Sequence, residues 1–322
     1  GHSLSKPVVF ISEPINPLCL EILAPYCHCI APWLDGGIAG EIPEEATAIM
    51  VRTYPVTADR MDAVANLQVV AKHGVGIDNI DVEAATARAI PVLWTPEANA
   101  DAVAQHALAL TLGLANQLLR AEKALRAGQF LDRLEFASTE LTGRVLGIIG
   151  LGRIGKRVAR RATAGLGMEV IAYDPYVDES DLAAHVDSLG ELMSRADVVS
   201  LHVPLTEETR RFINASALAQ MKPGAFLINT SRGGVIDEPA LALALDQGAL
   251  AGAGLDVYAD EPPTPDHPFL SAPRVLLTPH VAGLSDQALV RVATEAAEGI
   301  LDVLNGHRPA SPVNPQVLEN AG

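Results

Sequence analysis

Three short segments of this 322-residue chain carry side chains suited to proton transfer and carboxylate binding. "NTSRGG" contains Arg232, "LDVYADEPP" leads to Glu261, and "LLTPHVAG" contains His280. A guanidinium holds a carboxylate through two parallel hydrogen bonds, so Arg232 is a candidate anchor for an anionic substrate. An imidazole can give its proton to a carbonyl oxygen as that carbonyl is reduced, which makes His280 a candidate acid/base. A nearby carboxylate orients such a histidine and favours its charged form, the part read for Glu261. Each residue also has an ordinary structural reading, as a turn arginine, a helix-start charge and a satisfied buried histidine. Their common position at the carboxyl ends of strands, where open α/β sheets bind ligands, favours chemistry.

A fourth segment, "GLGRIGKR" at 150–157, follows the apolar run "VLGII" and carries two overlapping phosphate-binding patterns. Gly150, Gly152 and Gly155, with Arg153 and Ile154 between the last two, fit G-x-G-x-x-G, which cradles a dinucleotide. Gly150, Gly155 and Lys156 fit most of G-x-x-x-x-G-K-[ST], which cradles a nucleoside triphosphate. Arg157 fails the second pattern, since it stands where a hydroxyl would bind magnesium. The first pattern has its context: a buried strand before, a helix after, and Asp174 at the end of the next strand, nineteen residues past Gly155. That carboxylate can accept from both ribose hydroxyls and would repel a 2′-phosphate, so NAD is expected rather than NADP. NAD carries hydride and leaves the protein to supply orientation and a proton. The cations Lys156, Arg157, Arg160 and Arg161 read as a solvated helix face rather than a phosphate patch.

Composition narrows the partners. Lys plus Arg number 23 against 39 Asp plus Glu, a net charge of −16 that repels nucleic acid and anionic lipid, so neither is expected to bind. The longest apolar stretch, Ala107–Leu119, is interrupted by Thr111, Asn116 and Gln117 and is too short to span a bilayer. Of the cysteines, Cys19, Cys27 and Cys29, the last two form "CHC", but no second Cys/His pair follows at ligand spacing. Buried reduced thiols, no metal and a cytoplasmic location are expected. No signal peptide is visible, and Gly1-His2-Ser3 reads as an expression remnant.

The elements that position these residues alternate between strand and helix, the pattern of parallel α/β sheets. "PVVFIS" (7–12), "ATAIMVRTY" (46–54), "LQVVAKHG" (67–74) and "PVLWTP" (91–96) read as strands of a first small doubly wound unit, with helices in "TADRMDAVANL" and "VEAATARAI". One long helical segment is expected after Pro96, ending at Gly128, and its apolar stripe exceeds the needs of one small domain. Six strands then follow, at 145–149, 168–174, 197–203, 225–230, 253–258 and 275–280, the number of a complete dinucleotide-binding domain. After Gly283 a last helix, "SDQALVRVATEAAEGILDVLNG", either caps the second unit or returns to the first; periodicity does not choose.

The chain resembles the NAD-dependent D-isomer-specific 2-hydroxyacid dehydrogenases from "VRT" (51–53) to "VNP" (313–315), most specifically in "KHGVGIDNID", "GLGRIG", "LHVPLT", "NTSRGGVIDEPAL", "GAGLDVYADEP" and "TPHVAG". The resemblance implies that Arg232 anchors the substrate carboxylate, Glu261 is the partner carboxylate and His280 the acid/base. It implies that the backbone of Gly74, Val75 and Gly76 binds the same carboxylate from the opposite domain, and that Arg52 helps to bind substrate. Lys72 and His73 lie near that loop and, with Arg52, could hold a second anionic group. For the cofactor the resemblance implies Gly150, Gly152, Arg153, Ile154, Gly155 and Asp174, then His202, Val203, Pro204, Thr209, Thr230, His280 and Gly283. It gives Asp256 a contact to the nicotinamide carboxamide.

The implied fold is α/β, with two doubly wound parallel-sheet domains. A flavodoxin-like substrate domain of residues 1–99 and 284–322 is interrupted by a Rossmann cofactor domain of residues 100–283, with the site in the cleft. A homodimer through the cofactor domain is implied as well. The implied reaction is reversible hydride transfer between NADH and a small 2-oxo acid. Glyoxylate or hydroxypyruvate suits a one-anion site, and 3-phosphoglycerate a two-anion site. Two departures or absences stand out: Gln105 replaces the glutamate of "VAEH", and the sequence given stops at Gly322, so regulation by serine through a C-terminal domain is not expected. An NAD-sensing corepressor-like binding protein and a formate or phosphite dehydrogenase are the alternatives.

Overall fold

In the computed structural model the described residues are 5–319, so the remnant read at 1–3 lies outside them. The chain divides into two compact units, one of residues 1–99 and 284–322 and one of residues 100–283.

The first unit is a five-stranded parallel sheet of β1 (Val8–Ile11), β2 (His28–Ile30), β3 (Ala48–Val51), β4 (Val69–Lys72) and β5 (Val92–Leu93), in the order β2-β1-β3-β4-β5. Helices cover both faces of such a sheet, so β3 and β4 read as continuous apolar runs, and every residue of both is buried. β2 is an edge strand that falls on "CHC"; its three residues are exposed or half-buried, and nothing in their pattern marks a strand. β3 ends at Val51, three residues before the expected limit, because Arg52, Thr53 and Tyr54 turn to give their N–H groups to Glu13.

The last long helix, Asp286–Leu304, starts at Ser285, whose hydroxyl accepts from the Ala288 N–H at 2.9 Å. Its Ala293, Ala296, Ala297 and Ile300 are buried in one apolar cluster with Val9, Cys19, Leu23 and Val69. This helix therefore completes the core of the first unit. Asn314 adds a stitch: its side chain accepts from Val92 N and donates to Ile90 O.

The second unit is a seven-stranded parallel sheet. Its strands are β6 (Val145–Ile149), β7 (Glu169–Tyr173), β8 (Ala184–His185), β9 (Val198–Leu201), β10 (Phe226–Asn229), β11 (Gly252–Leu255) and β12 (Val275–Leu277), in the order β12-β11-β10-β9-β6-β7-β8. β8 is the seventh strand, absent from the six expected; two residues at an edge carry no readable pattern. The chain reverses direction across the sheet between β6 and β9, the place where doubly wound sheets bind nucleotides.

The single long helix expected after Pro96 is two helices, Ala100–Ala115 and Leu118–Arg126. They separate at Gln117, which sits at φ 50° and donates from Nε2 to Ala137 O at 2.8 Å. The first of the pair packs its small residues, among them Ala104 and Ala107, against the helix Arg153–Leu166. Arg157 and Arg161 are not a simple solvated face: both reach Asp101, at 3.0 and 2.5 Å. Such half-exposed pairs contribute about 0.2–1 kcal/mol each.

Among the described residues no helix is long and apolar enough to cross a membrane, and no group of three His, Cys, Asp or Glu is placed to hold a metal. Cys19 and Cys27 are buried and Cys29 is half-buried; all three are free thiols. Burial pushes the Cys19 and Cys29 thiols up to about 11, far from the thiolate form.

Candidate active site

In the second unit the turn after β6 is built on glycine for steric reasons. Gly150 sits at φ 92°, and a Cβ there would lie 2.2 Å from His202 O. A Cβ on Gly155 would lie 2.1 Å from Gly150 O, so only glycine lets the helix Arg153–Leu166 start this close to the strand. Gly152 faces open space, and this helix has no side-chain cap at its start, the end of a helix where the dipole favours an anion. Arg153 and Ile154 form its first turn. Asp174, just past β7, accepts from Leu151 N at 2.8 Å through one oxygen and from Tyr176 N at 2.9 Å through the other. The backbone thus fixes the carboxylate beside the glycine turn while each oxygen keeps a lone pair.

Across the switch point, His202, Val203 and Pro204 follow β9. His202 Nε2 lies 2.7 Å from the Ser200 hydroxyl, and burial pushes its pKa down to about 4, so this histidine is neutral. Thr209 holds the turn by donating to Pro204 O at 2.7 Å. Thr230, past β10, has a buried hydroxyl with no partner. An open Gly152, an uncapped helix start, a fixed acid and an orphaned hydroxyl on one sheet edge are features that a bound dinucleotide would satisfy.

The three chemistry-bearing residues come from the ends of β10, β11 and β12. Arg232 is half-buried at an extended residue, and its turn is organised by Asn229, which is fully buried. Asn229 donates to Arg232 O at 2.9 Å and accepts from the Ser231 N–H and hydroxyl at 3.0 and 2.7 Å. His280 and Glu261 are paired, with Nδ1 2.6 Å from Oε2. A carboxylate only accepts, so Nδ1 carries the proton and Nε2 is the nitrogen left for exchange. The His280 side chain is 53% exposed, which allows a substrate to reach it.

The loop bearing His280 is anchored on Asp256. His280 itself sits at φ 53°, a left-handed conformation that a non-glycine residue adopts only when its surroundings hold it there. Asp256 is fully buried and accepts from the Thr278 hydroxyl at 2.6 Å, Val281 N at 2.9 Å and Ala282 N at 3.0 Å. Its backbone oxygen accepts from His280 N at 2.9 Å. Thr278 in turn accepts from His106 Nε2 at 2.9 Å. Asp256, implied as a nicotinamide contact, therefore spends three acceptor sites on the loop. Gly283 ends the second unit.

In the first unit, Gly74 sits at φ 137°, and its carbonyl accepts from the Thr95 N–H at 3.0 Å and hydroxyl at 2.9 Å. Among the described residues the N–H groups of Gly74, Val75 and Gly76 donate to no protein partner. Glu13, which the sequence reading passed over, shapes the neighbouring loop. Burial works to raise its carboxyl, but the Thr53 hydroxyl and the N–H groups of Thr53, Tyr54 and Arg52 hold it below its ordinary value.

Lys72 corrects an expectation: it is buried, with its ammonium bonded to Arg52 O and, at 3.0 Å, to Asn79 Oδ1. Burial, reinforced by the Arg52 charge, pushes His73 down to about 4, and its Nε2 is buried without a partner. Neither is thus a free cation; Arg52 is the exposed one, with one guanidinium nitrogen on Pro14 O.

Residues 108–282 match the profile of the D-isomer specific 2-hydroxyacid dehydrogenase NAD binding domain. The chain is 43% identical over 265 residues to a hydroxypyruvate reductase from Thermotoga maritima, an alignment covering 82% of this chain and 86% of that one. It is 40% identical over 319 residues to a D-3-phosphoglycerate dehydrogenase from Mycobacterium tuberculosis, covering 97% of this chain but 59% of the relative, so it spans about three-fifths of that protein's length. A crystal structure of an NADPH-dependent glyoxylate/hydroxypyruvate reductase from Sinorhizobium meliloti, in complex with citrate, superposes with a TM-score of 0.87 at 32% identity, over 96% of this chain and 99% of that one. The chain belongs to the D-isomer specific 2-hydroxyacid dehydrogenases, a family of oxidoreductases. Its second unit is the family's NAD-binding domain.

Proposed function

We propose that this protein reduces a small 2-oxo acid to the D-2-hydroxy acid, reversibly, with NADH as the partner. The observation that carries the reading is the Glu261–His280 pair at 2.6 Å on an exposed strand-end loop. The glycine turn at 150–155 and Asp174 would hold NADH, which when bound would supply the hydride. Arg232 holds the substrate carboxylate, and His280 donates its Nε2 proton to the oxygen of the reduced carbonyl. Glu261 keeps the imidazole turned for that transfer. Within the first unit, the unengaged N–H groups of 74–76 are suited to bind an anion.

Hydroxypyruvate or glyoxylate is the preferred substrate class, because Lys72 is engaged and His73 is neutral. A 3-phosphoglycerate-type substrate is the second reading, supported by the exposed Arg52. Asp174 supports NAD over NADP, unlike the NADPH-dependent relative from Sinorhizobium. Free thiols fit a reducing compartment. A second copy of the chain would cover the exposed apolar side chains Leu118, Leu119, Leu125, Phe130, Leu131 and Leu134.

The test is an NADH- and NADPH-oxidation panel with hydroxypyruvate, glyoxylate and 3-phosphohydroxypyruvate, run on wild type and His280→Ala. The wild type should turn over a single-anion substrate with NADH. His280→Ala should lose about 10²–10⁴-fold in kcat while binding NADH normally. Unchanged turnover in that variant would refute the assignment.

A further inference from the structure

We infer that Glu238 and His267 are positioning residues that hold the Glu261 loop and thereby set the Glu261–His280 pair; the inference rests on the reading of that pair given above. Glu238 is the first residue of the helix Glu238–Asp246, where an acid ordinarily faces solvent and the helix dipole. Here its side chain is only 12% exposed, and both oxygens are turned onto the loop that follows β11. Oε2 accepts from Ala259 N at 3.1 Å, and Oε1 lies 3.1 Å from His267 Nε2. His267 Nδ1 accepts from Phe269 N at 3.1 Å, which leaves Nε2 as the donor to Glu238. The ring stands between Phe269 and Tyr258, with centroids 4.6 and 6.3 Å away.

Two carboxylates therefore grip consecutive amides. Glu238 takes Ala259 N, and Glu261 takes Tyr258 N at 3.1 Å with Oε1 while its Oε2 meets His280. The same stretch backs the arginine turn: a Cβ on Gly233 would lie 1.9 Å from Tyr258 C, so the residue after Arg232 is pressed directly onto it. Releasing Ala259 from Glu238 frees the peptide that fixes where Glu261 points. Neither Glu238 nor His267 needs to touch substrate or cofactor for this role.

A double-mutant cycle on the full chain, assayed by NADH oxidation with hydroxypyruvate and glyoxylate, tests the inference. Glu238→Gln should lower kcat about 10-fold and leave the NADH Kd, read by fluorescence, unchanged. In a Glu261→Gln background the same change should alter kcat by less than about twofold, because its effect travels through Glu261. A role in stability alone would make the two losses multiply, and that result would overturn the inference. Equally, Glu238→Gln and His267→Gln both within about twofold of wild type would overturn it. Should Glu238→Gln not fold, His267→Gln takes its place in the cycle. An unchanged kcat in Glu261→Gln alone would instead refute the reading of the catalytic pair, and the inference with it.

Discussion

Replacing Asp256 by asparagine separates two roles for this residue, loop anchor and cofactor contact. Asparagine keeps one carbonyl oxygen and turns the other acceptor into a donor. In its least costly orientation the carbonyl serves Thr278 and Val281, and the amide nitrogen faces the Ala282 N–H, a buried donor left without an acceptor. Two hydrogen bonds then lose their charge assistance, about 1 kcal/mol each, and the stranded N–H costs about 1–3 kcal/mol. The sum is roughly 3–5 kcal/mol. For a domain of this size each kcal/mol moves the melting temperature by about 2–4 °C, so a fall of roughly 6–20 °C is expected for the unit spanning 100–283. Calorimetry on the folded variant reads that shift, and the loosened loop should lower kcat along with it. A loss below about 1 kcal/mol, combined with a strongly raised NADH Kd, would refute the anchor role and leave Asp256 as a cofactor contact.

Three further outcomes follow from the structure. Asp174→Ala should narrow the preference for NADH over NADPH, read as the ratio of their Kd values; a wild type that already favours NADPH contradicts the role given to Asp174. His73 and His202 are neutral in the fold at about 4 but bind protons near 6.5 when unfolded, so their contribution is complete above about pH 6.5 and lost as pH falls toward 4. Unfolding free energies from urea titrations should fall across that window by up to about 1.4 kcal/mol per pH unit for each histidine, and His73→Gln should remove its share. Leu131→Asp with Leu134→Asp places two charges on the apolar segment proposed to meet a second copy, and light scattering should read a lower mass than for the wild type; an equal mass for both would refute that role for the segment.

Arg232, Glu261 and His280, the set proposed above to react, stand out in the sequence because their side-chain chemistry is distinctive and each follows a strand. Gly150 and Gly155 were legible because no other residue fits where they sit. What the sequence concealed are the residues that act across long separations. Glu13 bonds residues 39–41 positions away, and Glu238 reaches a loop 21 positions on. In one dimension both look like ordinary surface acids at the ends of elements. The burial of Lys72 was hidden for the same reason: its ammonium direction is set by Arg52 and Asn79, 20 and 7 positions distant. β2 and β8 were missed because short edge strands need no apolar alternation. The break at Gln117 carries neither glycine nor proline to announce it.

The closing helix of the first unit gives translation and folding different orders. Val9, Cys19 and Val69 are synthesised first, yet Ala293, Ala296 and Ile300, which seal them from water, leave the ribosome well over 200 residues later. The strands of the first unit must wait, with their apolar face uncovered, while a self-contained sheet of 100–283 is made and can fold. A growing chain is therefore most exposed to aggregation before Asp286–Leu304 emerges, and a chaperone that shields the first hundred residues would act in that interval.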